Sequence, residues 1–113
     1  MKNLKNQVQL IGHLGADPEV KELNSNTKVA RFSLATSDNY TDKEGKKVSD
    51  TQWHKITAWN SSATFAEKYL KKGSEVLISG KLVYGNYDDK DGIKRYTTEI
   101  YVNDMHILGK KTE

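Results

Sequence analysis

The alternation of apolar and polar side chains predicts that most of this chain forms β-strands. From Lys28 to Thr36, the apolar residues Ala30, Phe32 and Leu34 fill every second position, which is typical of a strand with one buried face. Looser alternation predicts four further strands, over residues 8–14, 51–59, 75–84 and 95–102. A weaker extended segment covers residues 19–23, between two predicted turns. The pattern therefore favours a small β protein.

One segment changes from the period of a strand to that of a helix. Between Asn60 and Lys72, four side chains are spaced for one helical face: Ala63, Ala66, Tyr69 and Leu70. Asn60 or Ser61 is suited to cap the start of this helix, and Gly73 is suited to end it. Five strands with one helix between the third and the fourth is the element order of an OB-fold, a five-stranded Greek-key barrel that commonly binds single strands of nucleic acid. We therefore predict an all-β protein in which residues 1–113 form a single OB-fold domain.

Two polar segments are predicted to form hairpins that project from the barrel. Residues 37–50 centre on Glu44-Gly45, and residues 85–94 turn at Asp91-Gly92. Gly80 interrupts the strand over residues 75–84 and predicts a bulge or corner there.

Composition narrows the class of protein. The chain has a net charge of +3 and an isoelectric point near 9.0, so a polyanionic partner is allowed but not required. It has no cysteine, which excludes disulfides and thiolate metal sites. The first residues contain no apolar run of signal-peptide length, and no later segment approaches the length of a membrane span. We therefore expect a cytoplasmic protein with no membrane partner.

The strongest candidate for a functional surface is the strand over residues 51–59. Its odd-numbered positions place two large rings, a cation and a hydroxyl on one side: Trp53, Lys55, Thr57 and Trp59. The even-numbered positions from His54 to Ala58 lie on the other side and are predicted as core. Such a side suits the stacking of flat bases beside a phosphate chain. The alternative is that both tryptophans are core residues and that Lys55 reaches past them to solvent. Tyr40 and Tyr87, on the two hairpins, are expected to add rings if the hairpins rise on the same side of the barrel.

Basic residues near these rings are candidates for contact with phosphates. Each alone is typical of a solvated surface position, but together with the rings they are consistent with a nucleic-acid groove. They are Lys21, Arg31, Lys43, Lys46, Lys47, Lys55, Lys72 and Arg95.

No convergent set of reactive groups supports catalysis. The three histidines are isolated in sequence, and none stands at metal-ligand spacing: His13, His54 and His106. Asp88, Asp89 and Asp91 faintly resemble a calcium loop, but the downstream glutamate that would complete it is missing. We therefore predict neither an enzyme, nor a metal site, nor a cofactor.

Six segments carry a family resemblance that covers nearly the whole chain: GHLGADPEV (12–20), FSLATSDNY (32–40), TQWHKI (51–56), EKYLKKGSEV (67–76), ISGKL (78–82) and RYTTEIYV (95–102). In order and spacing they resemble the bacterial single-stranded DNA-binding proteins. The resemblance implies an OB-fold that assembles into a homotetramer and wraps single-stranded DNA in replication, recombination and repair. It implies stacking roles for Tyr40, Trp53, Trp59 and Tyr87, and a subunit interface near His54 and the N-terminal residues.

Two segments depart from the family pattern. Residues 83–86 (VYGN) are neutral where many relatives are strongly basic, so we expect lower affinity or a gentler salt dependence. The sequence closes with GKKTE, without the acidic tip through which these proteins usually recruit replication and repair enzymes. It is therefore expected to be either the DNA-binding core of a longer protein or a naturally tailless member. Such protein partners are expected only in a longer form with a tail.

Three functions follow from these features. We favour sequence-nonspecific binding of single-stranded DNA by a nucleoid-associated homotetramer. The second is a replication-restart accessory of the same family, which is typically a tailless dimer. The third belongs to another class: a protein-interaction OB domain whose rings anchor partner chains.

Overall fold

The computed structural model describes residues 4–108, in which the chain forms six strands and one helix. The strands are β1 (Val8–Leu14), β2 (Glu19–Asn24), β3 (Thr27–Thr41), β4 (Lys47–Trp59), β5 (Glu75–Asp88) and β6 (Lys94–Ile107), and the helix is α1 (Ser61–Tyr69). Within these residues, no helix is long and apolar enough to cross a membrane. The segment GKKTE, on which the prediction about a tail depends, lies outside the described residues.

Five of the strands close into a barrel. The sheet runs in the order β1-β5-β6-β4-β3-β2, and β1 also pairs with β3 through His13–Ala35 and Leu14–Leu34. This second pairing joins the ends of the sheet, while β2 lies beside β1 along the same edge of β3. The predicted OB-fold is confirmed, with the helix between the third and fourth barrel strands in chain order. The weak extended segment over residues 19–23 is a sixth strand, β2, outside the closed ring.

The interior of the barrel is built from the apolar phase of each strand. Leu34, Ile56 and Ile78 are fully buried, and α1 closes one end with Ala63 and Ala66. Burying a side chain the size of leucine or isoleucine contributes about 1.5–3 kcal/mol relative to leaving it in water. These positions therefore fix which face of each strand turns inward.

Two glycines allow neighbouring strands to approach closely at the corners of the barrel. A Cβ at Gly12 would lie 2.2 Å from the carbonyl oxygen of Ala35, and one at Gly80 would lie 2.2 Å from that of Tyr101. The β5–β6 register shifts between Ser79 and Gly80. The predicted bulge at Gly80 is therefore confirmed.

The helix buries a narrower face than the sequence predicts. It ends at Tyr69 because Leu70 takes an extended conformation, with φ −104° and ψ 143°. Leu70 is buried, but Tyr69 lies about 100° around the helix from it. Tyr69 is 58% exposed, and its ring packs on Phe65 with the centroids 5.1 Å apart. The prediction that Tyr69 belongs to the buried face is wrong.

Asn60 joins the helix to β3 instead of capping the helix with its side chain. Its backbone N–H donates to the carbonyl of Lys28 at 2.8 Å, and its Oδ1 accepts from the Lys28 N–H at 3.1 Å. Asn60 has a left-handed φ of 54°, an uncommon conformation for a residue other than glycine. The predicted side-chain cap from Asn60 is not formed, because its amide oxygen is occupied by the β3 backbone.

Beyond the barrel, the two predicted hairpins project as two-stranded ribbons. The β3–β4 ladder keeps one register from Val29–Trp59 to Thr41–Lys47, and the β5–β6 ladder continues to Asp88–Lys94. The radius of gyration is 16.3 Å, against about 13 Å for a compact domain of this length. The ribbons therefore present two faces each to solvent.

The tips of the two hairpins repeat one local structure. In each tip an aspartate carboxylate accepts hydrogen bonds from the backbone N–H groups two and four residues ahead, all at 2.9 Å: Asp42 from Glu44 and Lys46, and Asp89 from Asp91 and Ile93. The glycine three residues after each aspartate is left-handed, with φ 81° at Gly45 and 79° at Gly92. The predicted turns at these glycines are confirmed.

Candidate nucleic-acid interface

Aligned rows on the outer face of the barrel carry five of the candidate DNA-binding residues. Directly paired residues of neighbouring strands project to the same side of a sheet, so the register defines the rows. The first row is Lys21, Val29 and Trp59; the second is Glu19, Arg31, Thr57 and Tyr101; the third is Ser33, Lys55, Glu99 and Val83; the fourth is Ala35 and Trp53. Both tryptophans thus share a face with three of the candidate cations.

Trp53 is a surface residue whose ring lies on the chain backbone. It is 62% exposed, so the alternative that it belongs to the core is wrong. The edge of its six-membered ring lies against Gly15, where an added Cβ would lie only 2.5 Å from Cζ3. Gly15 follows the end of β1, and its N–H donates to the carbonyl of Ser33 at 3.1 Å. Because Gly15 has no side chain, the ring can approach the backbone at this position while most of Trp53 stays exposed to solvent.

Trp59 occupies an intermediate position between surface and core. It is half-buried, and its ring meets Tyr101 in an edge-on contact with the centroids 5.9 Å apart and the planes at 61°. Its Nε1 is buried and has no hydrogen-bond partner among the described residues. A buried donor without an acceptor is costly. Less of this ring is available for stacking than of Trp53, and Tyr101, which the sequence analysis does not single out, determines its orientation.

A groove of about 460 Å³ lies beside the tryptophans on the outer face. It contains two candidate cations, Arg31 and Lys55, and three carboxylates, Asp17, Glu19 and Glu99. The sequence pattern does not predict these carboxylates, because they come from segments that the barrel closure brings together. The groove is therefore of mixed charge and is not a purely basic channel.

Glu99 is held in this groove by a hydrogen bond from β4. The Thr57 hydroxyl donates to Glu99 Oε1 at 2.7 Å, and Thr57 itself is buried. Glu99 also pairs directly with Lys55 in the parallel part of the sheet, so its carboxylate and the Lys55 ammonium lie on the same side. Negative charge beside Lys55 weakens the attraction of that lysine for phosphate.

Tyr87 and Arg95 face each other across the β5–β6 ribbon. They form a direct pair in the same phase as Glu99, and therefore lie on the Trp53 side of the sheet. Tyr87 is exposed, while Arg95 Nε donates to Asp89 Oδ2 at 2.8 Å. The bonds that the Asp89 carboxylate accepts, first from Ile93 N–H and then from Arg95, lower its pKa below 3.8. Arg95 is thus partly committed to the hairpin tip.

Tyr40 lies on the other face of its ribbon. It is exposed and pairs with Val48, and the β3–β4 register is unbroken, so it shares a phase with His54 and not with Trp53. Right-handed twist rotates such a ribbon along its length. The structure therefore aligns Trp53, Trp59 and Tyr87 by phase, while Tyr40 stands apart from them.

The remaining candidates are dispersed. Lys43 is exposed at the tip of the β3–β4 hairpin. Lys72 follows α1, and its backbone N–H donates to Asp17 Oδ1 at 2.8 Å, which places it near the end of the groove. His54 is half-buried, and its Nε2 lies 2.9 Å from Thr36 Oγ1. Its role at a subunit interface stays a prediction. Among the described residues, no group of three His, Cys, Asp or Glu side chains is arranged to hold a metal ion.

Comparison with known proteins adds independent information. A family model described as "Single-strand binding protein family" matches residues 5–108. Single-stranded DNA-binding protein 1 of Chlorobaculum tepidum is 48% identical over 107 residues, which cover 94% of this chain and 66% of that protein. Single-stranded DNA-binding protein 1 of Xylella fastidiosa is 42% identical over 109 residues, which cover 96% of this chain and 80% of the relative.

A solved structure matches the fold closely. The Plasmodium falciparum SSB in complex with ssDNA superimposes with a TM-score of 0.83 at 33% identity, covering 96% of this chain and 99% of that one. The present chain spans about two thirds of the length of the Chlorobaculum relative and 62% of a Neisseria meningitidis relative.

Proposed function

The chain belongs to the single-strand binding protein family, and we propose that it binds single-stranded DNA without selecting a base sequence. The observation that carries this proposal is the Trp53 ring, which is 62% exposed on the outer face beside Lys55. An exposed indole on a rigid sheet gives up the free energy of burial, and a stacked base can restore it.

Binding combines ring stacking with phosphate contacts. Each base stacked on an aromatic ring contributes about 1–3 kcal/mol, largely independent of which base it is. Trp53, Trp59 and Tyr87 supply rings on one face, and Tyr40 supplies a further ring on the β3–β4 ribbon. The candidate phosphate contacts are Lys21, Arg31, Lys43, Lys55, Lys72 and Arg95.

The biological role follows from binding alone. Coating exposed single strands protects and organises them during replication, recombination and repair. The protein requires no enzymatic activity for this role. It acts in the cytoplasm, at the nucleoid, because that is where its ligand forms.

A fluorescence titration tests this proposal. Oligo-dT is expected to quench tryptophan emission, more weakly as salt rises, while a duplex of equal length leaves it unchanged. Trp53→Phe is expected to remove most of the quenching, since the remaining Trp59 is half-buried. Tyr69→Ala is a matched control, because that exposed tyrosine lies on α1, outside the rows. Absence of quenching by oligo-dT would contradict the proposal and favour protein partners.

We further propose that the chain assembles into a homotetramer through β1. Residues 8–12 pair with β5 along one edge, and among the described residues no strand pairs with their other edge. An open strand edge is a template for pairing with another chain. Ile11, 51% exposed on this strand, adds an apolar contact.

Light scattering measures this assembly directly. Four chains of 12.8 kDa give about 51 kDa, and two give about 26 kDa. A dimer would favour the tailless accessory of the same family. Ile11→Glu is expected to lower the mass. His54→Glu is expected to do the same if His54 lies at an interface, and full mass in that variant would count against the assignment.

A further inference from the structure

Tyr84 and Tyr96 are the two most exposed aromatic side chains among the described residues, at 71% and 76%. Both lie on the β5–β6 ribbon, where Tyr84 pairs with Thr98 and Asn86 pairs with Tyr96. The two tyrosines are therefore diagonal neighbours on one face, with their Cα atoms roughly 7–8 Å apart. Two large rings exposed at adjacent positions form an aromatic surface that is typical of a binding site.

This face is opposite to the one that carries Tyr87. Tyr84 and Tyr96 share the phase of the Leu82–Ile100 pair, and Ile100 is buried in the barrel. The ribbon face that is core within the barrel thus continues beyond its rim as an exposed aromatic surface. The alternation along residues 95–102 does not distinguish the buried part of this face from the exposed part, because Tyr96 falls in the same phase as the buried positions.

The two-tyrosine face connects with the Trp53 face through a cleft. β4 and β6 pair only from Lys55–Glu99 to Thr57–Tyr101, so the two ribbons separate beyond these three pairs. The opening is a cleft of about 330 Å³, lined among others by Trp53, Lys55 and Tyr96. A nucleic-acid strand stacked on Trp53 is therefore adjacent to the ring of Tyr96, which lies on the other face of the β5–β6 ribbon.

We propose that Tyr84 and Tyr96 form a second stacking surface for single-stranded nucleic acid, reached from Trp53 through this cleft. The inference rests on the proposed function and deepens it: the β5–β6 hairpin holds bases on both faces. Continuity with the Trp53 face favours nucleic acid over a second protein chain as the occupant. The neighbours of the rings on this face are polar or charged, namely Asn86, Thr98 and the directly paired Asp88 and Lys94, which suits a solvated nucleic-acid strand better than a dry protein interface.

The double variant Tyr84→Ala/Tyr96→Ala tests this surface in the full chain. Tryptophan quenching by oligo-dT of increasing length gives the number of nucleotides bound per chain. We expect the double variant to bind about two nucleotides fewer and to weaken Kd for long oligo-dT by at least about 25-fold, since each ring stacks one base and its loss weakens Kd by at least about fivefold. The quenching amplitude of Trp53 is expected to persist. Tyr84→Phe/Tyr96→Phe keeps the rings and is expected to restore both values, and Tyr69→Ala is expected to change neither.

Three results would overturn the inference. An unchanged site size and Kd in the alanine double variant would mean that the rings do not touch the strand. A drop in oligomeric mass would assign them to a protein interface instead. Failure of oligo-dT to quench the unmodified protein would remove the proposed function together with this inference, whereas quenching of both proteins with the same site size and the same Kd removes this inference alone.

Discussion

Alanine at position 15 tests whether the Trp53 ring acts from the protein surface. A Cβ at Gly15 would lie 2.5 Å from Trp53 Cζ3 and 2.9 Å from Cη2. Non-bonded carbon atoms approach to about 3.5–4.0 Å, so the ring must move outward by about 1 Å or more. Because Trp53 is exposed, the ring can swing into solvent without disturbing the core. Gly15→Ala is therefore expected to change the free energy of unfolding by less than about 1 kcal/mol.

Binding is expected to suffer more than stability. A stacked base contributes about 1–3 kcal/mol, and a displaced ring that keeps half of that contribution loses about 1 kcal/mol, or about fivefold in Kd. Trp53→Ala removes the whole ring and is expected to lose more. The assay is a fluorescence titration with oligo-dT, beside a thermal melt of each variant.

A double-mutant cycle isolates the role of Gly15. If this residue acts only through the ring, Gly15→Ala adds nothing to Trp53→Ala, and the two changes are strongly non-additive. Equal weakening by Gly15→Ala in both backgrounds would refute the reasoning. Unfolding of Gly15→Ala would instead show that Trp53 contributes to the core.

Two further substitutions test the charges. Asp89→Asn is expected to destabilise the tip of the β5–β6 hairpin, except at strongly acid pH. The pKa of Asp89 is lowered first by the hydrogen bond from the Ile93 N–H and then by the one from Arg95. The stabilising effect of this carboxylate is therefore present above pH 3.8 and is lost as pH falls through the pKa of Asp89 in the folded protein. Hydrogen exchange at the Asp91 and Ile93 amides from pH 2 to 6 measures this, and protection that is independent of pH in the wild type would contradict it. Glu99→Gln removes the negative charge opposite Lys55 in the β4–β6 ladder and keeps an acceptor for the Thr57 hydroxyl. The affinity for oligo-dT is therefore expected to rise a few-fold at low salt and less at high salt. Unchanged affinity at low salt would mean that no phosphate comes near Lys55.

The sequence predicts the barrel well because its core depends on local alternation. Burial of Ala30, Phe32 and Leu34 follows directly from their spacing, and the left-handed turns at Gly45 and Gly92 follow from their residue type. These features require knowledge of only a few neighbouring residues.

The features that the sequence does not predict depend on contacts between distant segments. Glu99 enters the groove because β6 pairs in parallel with β4, and Trp53 meets Gly15 because the closure of the barrel places the end of β1 beside β3 and β4. Alternation also cannot say where a barrel ends along a strand. Ile100 and Tyr96 share one phase, but one is buried and the other is exposed beyond the rim.

The carboxylates on the outer face lead to a prediction for salt dependence. Of the eight basic candidates in the sequence, the six proposed to contact phosphate would give a slope of log affinity against log salt near −4 for single strands, at about −0.7 per phosphate. Arg31 and Lys55 share their groove with three carboxylates, and Arg95 is paired with Asp89, so the attraction of these three for phosphate is offset within the protein. We therefore expect a slope of about −2, because three cations remain at about −0.7 each. Base stacking then contributes more to binding than charge does, and it preserves appreciable affinity at high salt. Oligo-dT titrations across a range of sodium chloride concentrations measure it. A slope as steep as about −4 would mean that the carboxylates do not neutralise these cations, and that charge contributes more than the rings.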